Sequence, residues 1–168
     1  KVMQRTGSDS AQVLDLLKKA RDTDRTSIPA VLALNAQYSA MDKVADAIPM
    51  LQEARAANPA SLELLDALGT AYLRMVLDDF SGSLPLAAAA YNAGPGRPRR
   101  WREGPMLEPA AWAENVPFLE TRDYVKKVLA NSVVYAAMLR APSPALKPRL
   151  GPAIGPRDGG PPVNTELP

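Results

Sequence analysis

The chain has 168 residues, room for about one domain or one domain with an appendage. Its 20 Lys and Arg against 18 Asp and Glu leave a formal charge of +2, too balanced for bulk charge to draw nucleic acid or an anionic membrane. With no Cys and no His, disulfides, thiolate nucleophiles, Ser-His-Asp triads, imidazole bases and almost every transition-metal site are excluded. Any chemistry falls to carboxylates, Lys, Tyr and hydroxyls.

Hydrophobic residues make up 46% of the chain but aromatics only 5%, so the core is built mainly of Ala, Leu and Val, the composition of packed helices. No apolar run reaches the ~18 residues of a membrane span. The chain opens on Lys1 rather than Met and shows no signal peptide, as expected of a mature form or a fragment. No metal or organic cofactor is implied.

Residues 1–61 read as helical and carry a repeat. Leu34 and Leu68 stand 34 residues apart, as do Tyr38 and Tyr72. On that period Leu34, Tyr38, Ala47, Leu51, Ala54 and Pro59 fall where a helix–turn–helix unit places its contact residues, with small Ala47 and Ala54 letting two helices approach closely. The pattern over Ile28 to Ser61 resembles one tetratricopeptide repeat, with half a repeat on each side. Such a repeat does not bury its apolar face alone, so the segment must lean on other chain. A protein partner in its concave face and a chance amphipathic hairpin are the alternatives.

Residues 62–140 begin with a helix over Leu62 to Asp79, carrying Leu64, Leu65, Leu68, Tyr72, Met75 and Val76 at helical spacing. Ser81-Gly82-Ser83 breaks it, and Leu84 to Tyr91 forms a short Ala-rich helix. Asn92-Ala93-Gly94-Pro95-Gly96 reads as a tight turn, followed by a long loop with both Trp. A last helix over Thr121 to Leu139 lines one face with Val125, Val128, Leu129, Ser132, Tyr135 and Leu139. No segment alternates as a strand, and the fold class is all-α. From 141 to 168, eight Pro and four Gly predict an extended or disordered tail without helix or strand. An arm held by Leu146, Leu150 and Ile154 is the alternative.

Three strings carry the chemistry: Ala90-Tyr91-Asn92-Ala93-Gly94-Pro95-Gly96-Arg97, the run from Glu114-Asn115-Val116-Pro117-Phe118 through Thr121-Arg122-Asp123-Tyr124-Val125, and Gly69-Thr70-Ala71-Tyr72-Leu73 upstream. The first puts an aromatic ring and an amide at a helix end, where glycines let a ligand approach the backbone. Together they resemble the C-terminal half of the soluble lytic transglycosylase family, periplasmic enzymes with a lysozyme-like, all-helical catalytic domain that cleave peptidoglycan glycan strands to 1,6-anhydro products. The resemblance covers about 62–140.

It implies a saccharide groove. Tyr91 and Asn92 match the tyrosine and asparagine beside the scissile sugar, with Gly94 in the same turn. Glu114 matches a glutamate lining the cleft, and Tyr124 the tyrosine whose hydroxyl sits close to the catalytic acid. It also implies peptidoglycan glycan strands as partner and the periplasm as compartment.

The departure concerns the acid. Family members use one glutamate, in a Glu-Ser-x-Phe-like motif well upstream, first as acid and then as base, and protonating a glycosidic oxygen demands such a carboxyl of raised pKa. This chain has no glutamate before Glu53 and no Gly-Leu-Met-Gln segment. Glu53 and Glu63 suit solvated helix faces, Glu103 and Glu108 lie on the loop, and Glu114 with Glu120 is a conceivable acid pair, Glu114 being the substitute candidate. The catalytic acid is absent on this reading, and the chain is expected to be inactive as it stands. The Arg97-Pro98-Arg99-Arg100-Trp101-Arg102 run fits a solvated loop around a buried Trp101 better than a nucleic-acid contact. Three readings stay open: a transglycosylase whose catalytic half lies elsewhere, a non-catalytic relative that binds glycan, and a tetratricopeptide-type helical scaffold.

Overall fold

The computed structural model describes residues 7–140 and 145–156. Nine helices appear among them: α1 (Gly7–Thr23), α2 (Ile28–Ala40), α3 (Val44–Ala57), α4 (Leu62–Asp79), α5 (Leu84–Ala93), α6 (Gly96–Trp101), α7 (Pro109–Glu114), α8 (Leu119–Met138) and α9 (Leu146–Leu150). The one β contact there is an isolated antiparallel bridge between Leu107 and Ile154. The all-α expectation holds. Two compact units divide within α4, at Met75 and Val76.

In the first unit α2 packs against α1 and α3. Val31, Leu34, Ala47, Leu51, Ala54, Leu64 and Ala71 form its core, with Leu17, Tyr38 and Leu68 packed at the edge. Ala47 and Ala54 are fully buried, which brings the helix backbones close. Pro29 sits in the first turn of α2, where its missing N–H costs nothing.

Two helices end in the same device. After α2, Asp42 adopts φ 56°, its N–H donates to Ser39 O and that of Lys43 to Tyr38 O. After α4, Ser81 adopts φ 53°, its N–H donates to Asp78 O and that of Gly82 to Leu77 O. Both are Schellman closures, which satisfy the last carbonyls of a helix and place a left-handed residue where glycine is usual.

In the second unit α5 lies against α8, α6 and α9. Six successive residues of α5, Pro85 to Ala90, are buried, so this helix is enclosed on all sides by virtue of its small side chains. Val76, Phe80, Trp112, Val116, Val125, Leu129, Leu150 and Ile154 complete the core.

Several expectations are corrected here. The loop expected after Gly96 contains two short helices, α6 and α7. Pro95 does end α5, but Pro98 falls in the first turn of a new helix, where no backbone N–H has an intrahelical partner to lose. Glu108 starts α7 by accepting from the N–H groups of Ala110 (2.9 Å) and Ala111 (3.2 Å). The buried face of α8 runs through Thr121, Val125, Leu129 and Ala136, whereas Val128, Tyr135 and Leu139 are exposed. It is Trp112, not Trp101, that is fully buried. Helix also forms at Leu146–Leu150, as α9; of the three residues of the arm-like alternative Leu150 and Ile154 are buried, whereas Leu146 is exposed. The rest of the expected tail, 141–144 and 157–168, lies outside the described residues.

Candidate functional site

The enclosed helix α5 surfaces at its C-terminal end, and Tyr91 is the first exposed residue there, 41% accessible. Gly94 then takes φ 79°, ψ 150°, a backbone state essentially reserved for glycine, and a side chain at that position would meet nothing within 4 Å. The turn is therefore glycine for backbone geometry, and the space beside it is open.

Two contacts clamp this helix end to the start of α8. Thr121 Oγ1 donates to Asn92 Oδ1 at 2.7 Å. Three residues on, the Tyr124 ring lies parallel to that of Tyr91, with centroids 6.4 Å apart and planes 2° from parallel, an offset stack. Thr121 is 2% exposed, so the hydrogen bond that orients Asn92 comes from a buried hydroxyl. Burial, and secondarily the neighbouring Tyr91 phenol, push the Tyr124 phenol above its ordinary value.

The structure thus brings together Tyr91, Asn92, Gly94 and Tyr124. Glu114, at the end of α7, is exposed, and its carboxylate pairs with Lys126 Nζ at 3.0 Å. This is a solvated ion pair, not the apolar enclosure that a proton-donating carboxyl needs. Glu53 pairs with Arg21. Glu63 accepts from Ser61 Oγ, and its own backbone N–H first, then Ser61, hold its carboxyl below the ordinary value. Glu108 is a helix cap, and Glu103 and Glu120 are exposed. Among the described residues, no three Asp or Glu side chains gather to hold a metal ion.

The basic run is largely committed to the unit itself. Arg97 Nη1 donates to Ala93 O at 2.7 Å and its guanidinium lies 5.0 Å from the Phe118 ring. Arg99 pairs with Asp79, and Arg102 Nε donates to Gly155 O. Sequence reasoning gave no role to Thr121 or Phe118. Thr121 was detectable as the one hydroxyl on the stripe 121, 125, 129 of an amphipathic helix, a position that demands a buried partner.

The family described as "Transglycosylase SLT domain" matches residues 66–110, and that described as "Soluble lytic transglycosylase helical domain" matches 115–143. Both stretches are therefore similar to soluble lytic transglycosylase segments. The soluble lytic murein transglycosylase of Salmonella typhimurium is 46% identical over 70 residues, and that of Escherichia coli 44% over 70. Each alignment covers 40% of this chain and 11% of the relative, so the chain spans about a tenth of those proteins. Tyr91, Asn92 and Gly94 lie inside the first transglycosylase match and Tyr124 inside the second, whereas Glu114 falls between them. No helix among the described residues is long and apolar enough to cross a membrane.

Proposed function

We propose that the second unit of this chain holds a murein glycan strand at the end of α5 without cleaving it. The observation that carries the reading is the double clamp between α5 and α8, Asn92 on Thr121 and Tyr91 on Tyr124. Thr121 fixes the Asn92 amide through its Oδ1, and the Nδ2 donors of that amide suit the carbonyl of an N-acetyl group. The paired tyrosine rings supply an apolar face for a sugar ring, and the open backbone at Gly94 admits it. The resemblance alone adds Glu114, here paired with Lys126, as a polar wall. The resemblance supports the periplasm as the compartment, and the missing Glu-Ser-x-Phe-like motif leaves no acid to protonate the glycosidic oxygen.

Incubation of the chain with peptidoglycan sacculi tests both halves of this reading. Co-sedimentation that weakens on Asn92→Ala, with no anhydro-muropeptides by mass spectrometry, is the expected result. Anhydro products that vanish on Glu114→Gln would establish a substitute acid and overturn the non-catalytic reading. A chain that neither sediments nor cleaves would refute the groove.

A second reading, a partner-binding helical module in the first unit, is favoured by one observation. A cavity of about 300 Å³ opens among α1, α2 and α3, where Tyr38, Leu34 and Met50 meet Lys18, Asp46 and Glu53. On this reading Tyr38→Ala abolishes capture of a partner protein and leaves sacculus binding intact.

A further inference from the structure

The helices of the first unit keep the 34-residue period. Helices α2 and α4 begin at Ile28 and Leu62, and α1 and α3 end at Thr23 and Ala57, 34 residues apart in both cases. On this period α4 is the counterpart of α2, and α1 the counterpart of α3. The complete pair is α2 with α3, which pack against each other. Just past α3, Asn58 Nδ2 donates at 3.0 Å to Thr26 O, just before α2, so the two helices run antiparallel.

What this pair buries, the flanking helices expose. In α2, Val31 is buried and Ile28 half-buried, whereas their counterparts in α4, Leu65 and Leu62, are 51% and 75% exposed. In α3, Met50 and Ala54 are buried, whereas their counterparts in α1, Leu16 and Ala20, are exposed, Leu16 to 66%. Stacked helical repeats hide such positions behind a neighbour and finish on polar faces where the stack stops. Leucines at Leu16, Leu62 and Leu65 are not such a finish.

The two open faces match. Where α3 has Leu51 and Ala54, α1 has Leu17 and Ala20, the same sequence of a large and a small contact residue. Where α2 has Leu34 and Tyr38, α4 has Leu68 and Tyr72. An antiparallel pairing brings the end of α1 to the start of α4, setting exposed Lys18 and Lys19 against exposed Glu63 and Asp66. Both faces are open within one chain, so they are free to meet between chains.

We propose that copies of this chain associate head to tail, α1 of one seated on α4 of the next in the place that α3 takes on α2. Such a contact joins two different faces, so every added copy leaves one of each open and association continues past the dimer. None of the residues proposed to hold glycan takes part.

Sedimentation equilibrium of the full chain, over an about hundredfold range of concentration, is expected to show an average mass that rises without levelling at a dimer. Leu16→Glu sets a negative charge against Glu63 and Asp66, and Leu65→Lys a positive charge against Lys18 and Lys19. Each should weaken association at least about tenfold. Both leucines are exposed, so the circular-dichroism spectra should not change. The deciding sample is an equimolar mixture of the two variants. Each keeps the face that the other has lost, so the mixture should form a one-to-one pair and stop there. A monomer at every concentration, a plateau at the dimer, association indifferent to both substitutions, or a mixture that stays monomeric overturns the proposal. So does association that survives Leu16→Glu and is lost on Met138→Glu, which would place the contact at the exposed apolar end of α8.

Discussion

The two units solve the problem of building with helices in opposite ways. The first uses helices of 13 to 17 residues and the first part of α4, with larger aliphatic side chains facing one shared core and small Ala47 and Ala54 within it. The second encloses one short Ala-rich helix, α5, and surrounds it with pieces as short as five or six residues. It also holds Phe80, Phe118, Trp101, Trp112 and the Tyr91–Tyr124 stack. Regular periodicity makes a scaffold. Irregular backbone around a rigid helix makes a place where side chains from several elements converge, which is why the candidate site lies there.

The comparison is testable, beginning with its largest effect. Leu51 is fully buried in the first core, and Leu51→Ala should cost about 2–5 kcal/mol in a urea titration followed by circular dichroism. A cost below about 1 kcal/mol would break the picture of a tightly packed hairpin. In the second unit the sensitive change runs the other way: Ala89 has no room, and Ala89→Leu should cost about 1–3 kcal/mol by overpacking. If it is neutral, α5 is not enclosed as described.

Gly94→Ala tests backbone alone, since a Cβ there meets no atom. It should lower stability by about 1–3 kcal/mol in thermal unfolding, through the left-handed φ. An unchanged melting temperature would mean that the turn is not held in this conformation. The two Schellman closures predict a gain common to both units. Asp42→Gly and Ser81→Gly should each stabilise by about 0.5–1 kcal/mol, read by the same melts, because each relieves a left-handed non-glycine residue.

The smallest effect is confined to alkaline pH. Tyr124 has its folded pKa raised, so the folded state keeps the phenolic proton longer than the unfolded chain does. Its contribution is fully present below the unfolded tyrosine value of about 10 and is lost as pH rises through the folded value. Spectrophotometric titration should show one late-ionising tyrosine that disappears in Tyr124→Phe. A normal titration curve in the intact chain would sink the stacked, half-buried placement.

Periodicity made the long helices legible. The expected helix over Leu62 to Asp79 is α4, and the expected helices at 84–91 and 121–139 differ from α5 and α8 by no more than two residues at either end. The groupings of Tyr91, Asn92 and Gly94 and of Glu114 through Tyr124 were legible as motifs, but motif spacing does not say which side chains meet. Glu114 opens the second string in sequence, yet it pairs with Lys126 and with none of Tyr91, Asn92 or Tyr124. Val128, Tyr135 and Leu139 fitted an apolar stripe, yet the stripe that packs is the one through Thr121, Val125 and Leu129, because α5 lies on that side. Periodicity defines candidate faces, and only a neighbour chooses one.

Composition and local pattern determined on their own that this protein is helical, that His and Cys chemistry is absent from it, where its long helices run, and that its informative residues cluster around 91–94 and 114–124. These properties depend on residue type and short-range spacing, which a linear string records in full. Tertiary structure decided the Asn92–Thr121 clamp, the Tyr91–Tyr124 stack, the short helices α6, α7 and α9, and the ties of Leu107 to Ile154 and of Arg102 to Gly155. Each joins groups some 30 to 50 residues apart or stabilises a helix too short to form alone, and long-range packing supplies the free energy that local propensity lacks.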